Sequence, residues 1–488
     1  MPAPRLSSCS REGAVKMSQD IPPPADRGPR EKGPLRVFLV SVNRENVPAP
    51  VAPLGLSYIA GAALRDGHRV ELLDLCFSID VERDIEDALL RFPPDLVGVS
   101  IRNVDNLTFP GSVSYLDEIT AAVDALKKGT SAPIVAGGPG FSIFPEKLLD
   151  LLGIPFGIVG EGEDSFRALA RTLERGERVP ELPNLLQREK TAGKIQSPSI
   201  TRDGIGAPAR ELLDNRRYLE LGGMGNLQTK RGCPFACIYC TYPQISGSSL
   251  RLRSPEEVAE EMEILERRFG VDHVFFVDDI FNWPAAHAAE ICEAVAAKRL
   301  AISWSCFATP LGMTPALADA MKRSGCRGVE FGTDAGSSAM LSSLGKPFRV
   351  EDVRKASAAC REAGLPDAHY LIFGGPGETD DTLSETFATF DEIRPRAVLA
   401  LLGVRMYPNT PLHRIALDEG IVERDDDLLA PRFYISNTIG EKALQERVAA
   451  HAKARSNWVV PGLGIRSDPA ILSALRRRGH RGPLWDML

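Results

Sequence analysis

The sequence has no run of roughly 18 apolar residues, the length a helix needs to cross a bilayer, so no membrane span is expected. Its opening stretch, MPAPRLSSCSREGAVKMSQDIPPPADRGPREKGP, lacks the apolar core of a secretory leader. Being rich in proline and charge, residues 1–35 are expected to form a disordered tail, with Met17 as an alternative start. There is no excess of positive charge. Lys and Arg number 58 against 65 Asp and Glu, a net charge of −7, which gives no sign of a nucleic-acid partner. A disulfide framework is missing too: the nine cysteines are odd in number, and Cys9, Cys76, Cys292, Cys306, Cys326 and Cys360 stand singly. That usage suits a reduced, cytoplasmic protein.

What is present is ordinary globular material, 43% hydrophobic and 25% charged over 488 residues, enough for an ample core in roughly two to four domains. From residue 36 onward, short β-branched runs alternate with helical periodicity. RVFLVSV (36–42), HRVELLDL (68–75), DLVGVSI (95–101) and PIVAGG (133–138) read as strands, with helices at 53–67, 81–92, 115–128 and 145–152 between and after them. Such βαβ units predict a doubly wound, Rossmann-like domain over 36–175, with ligands bound beyond the carboxyl ends of its strands. That position holds Asn43, the stretch 102–106, GGPG (137–140) and GEGE (160–163). Residues 176–224, broken by prolines, read as a linker. A second alternation over 225–419 predicts a partial (β/α)6, TIM-like barrel with its reactive residues at the strand ends. Its helix 254–270 starts with Ser254 as N-cap, Pro255 at the first helical position and Glu257 completing a capping box. Residues 420–488 form a small C-terminal extension that caps the barrel or shapes its pocket, and α/β is the fold class of the whole.

One group of cysteines remains. QTKRGCPFACIYCTYPQ (228–244) places Cys233, Cys237 and Cys240 within eight residues, just after a candidate first barrel strand, GNLQT (225–229). Two readings are open, a structural zinc knot and a [4Fe–4S] cluster held through three of its irons. The C-x3-C-x2-C spacing differs from the C-x2-C pairs of structural zinc, and a fourth ligand is not near in sequence.

CPFACIYC resembles the C-x3-C-x-aromatic-C signature of radical S-adenosylmethionine (SAM) enzymes, and the resemblance extends over roughly 225–412. It implies that Cys233, Cys237 and Cys240 ligate the cluster, and that the open iron chelates SAM, which one electron cleaves to a 5′-deoxyadenosyl radical. Tyr239 would pack near the adenine. VDD (277–279) stands where the family has Gly-Gly-Glu, so that Asp278, or Asp279, would meet the SAM ammonium; here the chain departs from the pattern. FGTDAGS (331–337) resembles a G-x-E-S-G-S stretch, with Asp334 at the ribose. IFGGPGE (372–378) resembles the glycine-rich strand end beside the adenine, through Gly374, Gly375 and Gly377.

No G-x-G-x-x-G closes the first strand, so a dinucleotide site has little support. The segments PIVAGGPGFSIFPEKLL and FGIVGEGEDSF resemble the cobalamin-binding domain that precedes the barrel in many radical SAM enzymes. The resemblance assigns Asn43, Arg102, Asn103, Gly137, Gly138 and Glu161 to cobalamin, with Arg102 and Asn103 beneath the corrin. The D-x-H-x-x-G motif is absent, which implies cobalamin without a histidine lower ligand. The function implied is C-methylation of an unactivated carbon of a small-molecule or natural-product substrate, one SAM methylating cobalt and a second giving the radical. An external low-potential donor of flavodoxin or ferredoxin type would supply electrons. Alternatives are a radical cyclisation or rearrangement on the same scaffold, or a non-catalytic iron–sulfur and cobalamin sensor. Arg251, Arg253, Arg349 and Arg405 read first as surface charge, and second as basic residues facing an anionic substrate.

Overall fold

The computed structural model describes residues 33–182, 184–190 and 205–488. The expected tail, apart from its last three residues, lies outside these. Five strands of the first sheet are parallel: β1 (Arg36–Ser41), β2 (Arg69–Asp74), β3 (Leu96–Ser100), β4 (Ile134–Gly137) and β5 (Phe156–Ile158). Val37 to Val40 are fully buried, as expected of a strand covered on both faces by helices. The order β2-β1-β3-β4-β5 reverses direction between β1 and β3, which opens a crevice at their carboxyl ends. Asn43 follows one of those ends and Arg102 the other. A sixth strand, β6 (Leu185–Gln187), pairs antiparallel with β5, so part of the segment expected as linker completes this sheet.

The second sheet runs through β7 (Gly225–Leu227), then, after the short hairpin β8 (Lys230–Arg231) and β9 (Arg251–Leu252), through β10 (His273–Phe276) and β11 (Ser303–Ala308). It continues with β12 (Cys326–Asp334), β13 (Asp367–Phe373) and β14 (Ala397–Leu402). After the pair β15 (Val404–Arg405) and β16 (Phe433–Tyr434), β17 (Trp458–Val459) joins beside β14. The order β7-β10-β11-β12-β13-β14-β17 is parallel throughout and its ends do not pair, an open barrel of six strands plus one short strand from the C-terminal extension. Helix Pro255–Phe269 begins as expected on Ser254, whose Oγ accepts from Glu257 N at 3.1 Å, and ends on left-handed Gly270. Between helices and sheet, Phe276, Phe281 and Trp304 pack with ring centroids 4.8–5.1 Å apart, each burial stabilising by about 2–3 kcal/mol.

The extension also seals the amino-terminal end of the barrel. Trp485 Nε1 donates to the buried Glu330 carboxylate at 2.8 Å, and Arg476 Nη1 donates to Gly482 O beside His273. Burial pushes the Glu330 carboxyl up to about 7 and the His273 imidazole down to about 3.

Candidate active site at the cluster loop and the facing cleft

The hairpin β8/β9 holds the cysteine loop by its two arms. Gly232, at φ +89°, cannot be replaced freely, since a Cβ there would lie 2.2 Å from Ser249 O. Cys233 N donates to Gly247 O at 3.2 Å, and Cys240 N to Cys237 O at 3.1 Å, a turn that gathers the last two thiols. Cys233 is buried and the other two half-buried. Burial raises all three thiols, Cys233 to about 11 and Cys240 to about 12, while Lys346 opposes the rise at Cys237. Such thiols become thiolates only with a cationic group to bind, and its binding releases protons. Among the described residues no three Cys, His, Asp or Glu side chains converge on one point as ligands of a single ion would. Three thiols on one loop make the donor set that a [4Fe–4S] cluster with one open iron takes, whereas a structural zinc takes four protein ligands.

Beside the loop, Tyr239 OH donates to Asp334 Oδ2, which also receives Lys346 Nζ at 2.7 Å. Both charged side chains of the ion pair are less than a tenth exposed. Asp334 ends β12 at φ +68°, where the register with β13 shifts, a strained position for a non-glycine residue. Burial and the adjacent carboxylate hold Tyr239 in the phenol form. Thus two residues expected at SAM touch one another, and Lys346, which no motif pointed to, supplies the countercharge of Asp334. Gly374 (φ +97°) donates its N–H to Glu378 Oε2 at 3.2 Å, Gly375 packs against Leu344 and Met340, and Gly377 (φ +81°) borders open space.

The aspartates after β10 divide their roles against expectation. Asp278 is fully buried and its oxygens accept from Thr229 N, Thr229 Oγ1 and Lys230 N at 2.5–3.1 Å. Its carboxylate is already committed, so it is not free to receive an ammonium. Asp279 Oδ2 is buried without a partner, and its carboxyl is raised to about 7, first by burial and then by Asp278.

Asp279 opens onto a cleft whose empty space, mouth included, is about 1620 Å³. One wall comes from the strand ends of the first sheet and includes Asn43, Arg102, Gly137, Gly138 and Glu161. The other comes from the barrel, through Asn226, Gln228, Tyr242 and Asp279. A Cβ on Gly138 (φ +97°) would meet Ile101 O at 2.7 Å, so the tight turn there requires glycine. Asn103 does not line this cleft: its Nδ2 donates to Asp105 O at 3.1 Å and its Oδ1 accepts from Arg102 Nε, which turns the loop and steadies Arg102. Burial lowers the Arg102 guanidinium. Glu161 borders the cleft while paired to Arg231 and Arg251. Of the arginines expected at the surface, Arg251, Arg253 and Arg405 are instead tied to Glu161, Glu261 and Asp105, and only Arg349 is exposed. Among the described residues no helix is long and apolar enough to cross a membrane.

Residues 227–390 match the model of the radical SAM superfamily, and residues 40–170 that of the B12 binding domain. The chain is 26% identical over 462 residues to tryptophan 2-C-methyltransferase of Streptomyces laurentii, covering 81% of this chain and 76% of that protein. It is 30% identical over 341 residues to an uncharacterized methyltransferase of Pyrococcus horikoshii, covering 68% and 72%. In fold it is similar to the radical SAM methyltransferase TsrM from Kitasatospora setae, solved with cobalamin and a [4Fe–4S] cluster, at TM-score 0.82 and 24% identity over 93% of this chain and 97% of that one.

Proposed function

The chain belongs to the cobalamin-dependent radical SAM methyltransferase family, and from that premise we propose that it C-methylates an unactivated carbon of a small molecule in the cleft between its two sheets. The observation that carries the reading is the shared cleft, in which the strand ends of the cobalamin-type domain face those of the barrel that bears the cysteine loop. In this family the bound cluster supplies the electron that cleaves SAM, and cobalamin carries the methyl group.

Cys233, Cys237 and Cys240 would hold the cluster. Asp334, paired with Lys346 and hydrogen-bonded by Tyr239, would take the ribose hydroxyls, and Asp279, rather than Asp278, the SAM ammonium. Asn43, Arg102, Gly137 and Gly138 would receive cobalamin. Arg102 would lie beneath the corrin, and among the described residues lining the cleft there is no histidine, so cobalamin would bind without a histidine lower ligand. The walls orient the substrate and exclude water. Electrons would come from a low-potential flavodoxin- or ferredoxin-type protein of the cytoplasm.

The Streptomyces laurentii relative is named for methylation of tryptophan, which makes a small-molecule substrate the coarse assignment. A cyclisation reading has one observation in its favour: 22% identity over 370 residues to the anaerobic magnesium-protoporphyrin IX monomethyl ester cyclase of Rubrivivax gelatinosus. Products of SAM separate the readings in the reconstituted, reduced protein with hydroxocobalamin. A methyltransferase that spends one SAM on cobalt and a second on the radical forms S-adenosylhomocysteine together with 5′-deoxyadenosine, a cyclase 5′-deoxyadenosine alone, and a sensor neither.

A further inference from the structure

The two arms of the cysteine loop are each tied to the other domain, and by the same side chain. Arg231 and Arg251 are register partners in the hairpin β8/β9, whose closing loop carries all three cysteines. Arg231 Nη2 donates to Glu163 Oε1 at 2.7 Å, and its Nη1 lies 3.4 Å from Glu161 Oε2. Arg251 Nη2 donates to Glu161 Oε1 and, at 2.8 Å, to Ser246 O. One carboxylate therefore bridges both arms with its two oxygens. Its side chain is 7% exposed, as is that of Arg231, and that of Arg251 17%. Arg231 also lies over the Tyr58 ring at 4.8 Å, which fixes the guanidinium plane.

Glu161 belongs to the wall of the cleft, and its loop is not slack. Gly160 N donates to Ser142 Oγ at 2.9 Å, and Ser142 Oγ in turn donates to Gly138 O at 2.8 Å. Gly138 lines the cleft as well. A ligand filling the cleft would meet Gly138 and the Glu161 loop together, since both line it. A displaced Glu161 carries both arginines with it, because a buried, doubly bonded ion pair is costly to break.

We propose that Glu161, Arg231 and Arg251 are positioning residues that couple occupancy of the cobalamin cleft to the geometry of the cysteine loop, and hence to SAM binding at the cluster. The inference rests on the reading of the cleft as the cobalamin site. Coupling of this kind is reciprocal, so cobalamin changes SAM affinity by the same factor as SAM changes cobalamin affinity, typically about 5- to 150-fold.

The test uses the full chain with its cluster reconstituted, and measures the dissociation constant of SAM with and without saturating hydroxocobalamin. The wild type is expected to show a ratio of about fivefold or more, and Glu161→Gln and Arg251→Gln ratios near one. Arg251→Gln leaves the Arg231–Glu163 pair intact and decides the matter where Glu161→Gln does not fold. The electron paramagnetic resonance spectrum of the reduced cluster with SAM should likewise shift on adding hydroxocobalamin in the wild type and not in Arg251→Gln. A wild-type ratio of one, or a wild-type ratio retained in Arg251→Gln, overturns the inference while leaving the function in place. A wild type that does not bind hydroxocobalamin overturns both.

Discussion

Asp278 and Asp279 are neighbours with opposite dependence on their surroundings. Replacing Asp278 by Asn sets an amide N–H against donors from Thr229 and Lys230 and removes the countercharge of the buried Lys230 ammonium. It should cost about 3–5 kcal/mol in urea unfolding. Asp279→Asn removes an unpaired buried carboxyl and should leave stability within about 1 kcal/mol while weakening SAM binding tenfold or more. Equal effects on stability would undo the division of roles. The VDD triplet showed that an acid ends β10, but only the packed structure shows which of the two has spare oxygens. The same holds for Lys346, whose use depends on Asp334, twelve residues away around a turn. At the barrel floor, Glu330 has a folded-state value of about 7 against an ordinary 4.5, so the native state holds a proton that the unfolded chain gives up. Its contribution is complete below pH 4.5 and is lost as pH rises to 7, about 3 kcal/mol in all. His273 works in the other direction, its stabilising effect lost as pH falls from 6.5 to about 3. Subtracting the urea-unfolding profile of Glu330→Gln from that of the wild type isolates the first slope, which should be negative from pH 4.5 to 7 and flat above.

At the scale of elements, the cysteine loop works because a two-residue hairpin closes it and Gly232 makes the turn. Gly232→Ala places a Cβ against Ser249 O at a positive φ, with strain of about 1–3 kcal/mol concentrated where the thiols are arranged. The chain should still fold, with iron per chain falling well below that of the wild type reconstituted in parallel; unchanged iron would show that the loop tolerates a different turn. The strands β1 and β3 were legible as short continuous apolar runs and the helix Pro255–Phe269 by its helical periodicity, and all three fall within a residue or two of expectation. The strands β6 and β17, of three and two residues, are too short to show a period, and they join their sheets through backbone bonds to distant partners. For that reason the linker and the C-terminal extension looked more separate from the two sheets than they are.

Across the whole molecule, buried ion pairs fasten the first sheet's loops to the barrel. Arg405 Nε and Nη2 bond Asp105 Oδ2 at 2.9–3.0 Å on one side, as the Glu161 pairs bond the cysteine loop on the other. Partners 300 residues apart leave no local spacing, which is why a basic residue read as surface charge turned out to be interior. Arg405→Met should cost about 3–5 kcal/mol by stranding Asp105, and adding Asp105→Leu should restore much of it; thermal unfolding of the three proteins reads this out. The central claim is that one chain holds two cofactors across one cleft, and the most direct test is their stoichiometry. Protein purified without oxygen and incubated with hydroxocobalamin should show, by iron, sulfide and cobalt analysis with the ultraviolet–visible spectrum, about four irons and one cobalt per chain. Four irons without cobalt would leave a radical SAM enzyme with another occupant in its first domain and would contradict the methyltransferase account.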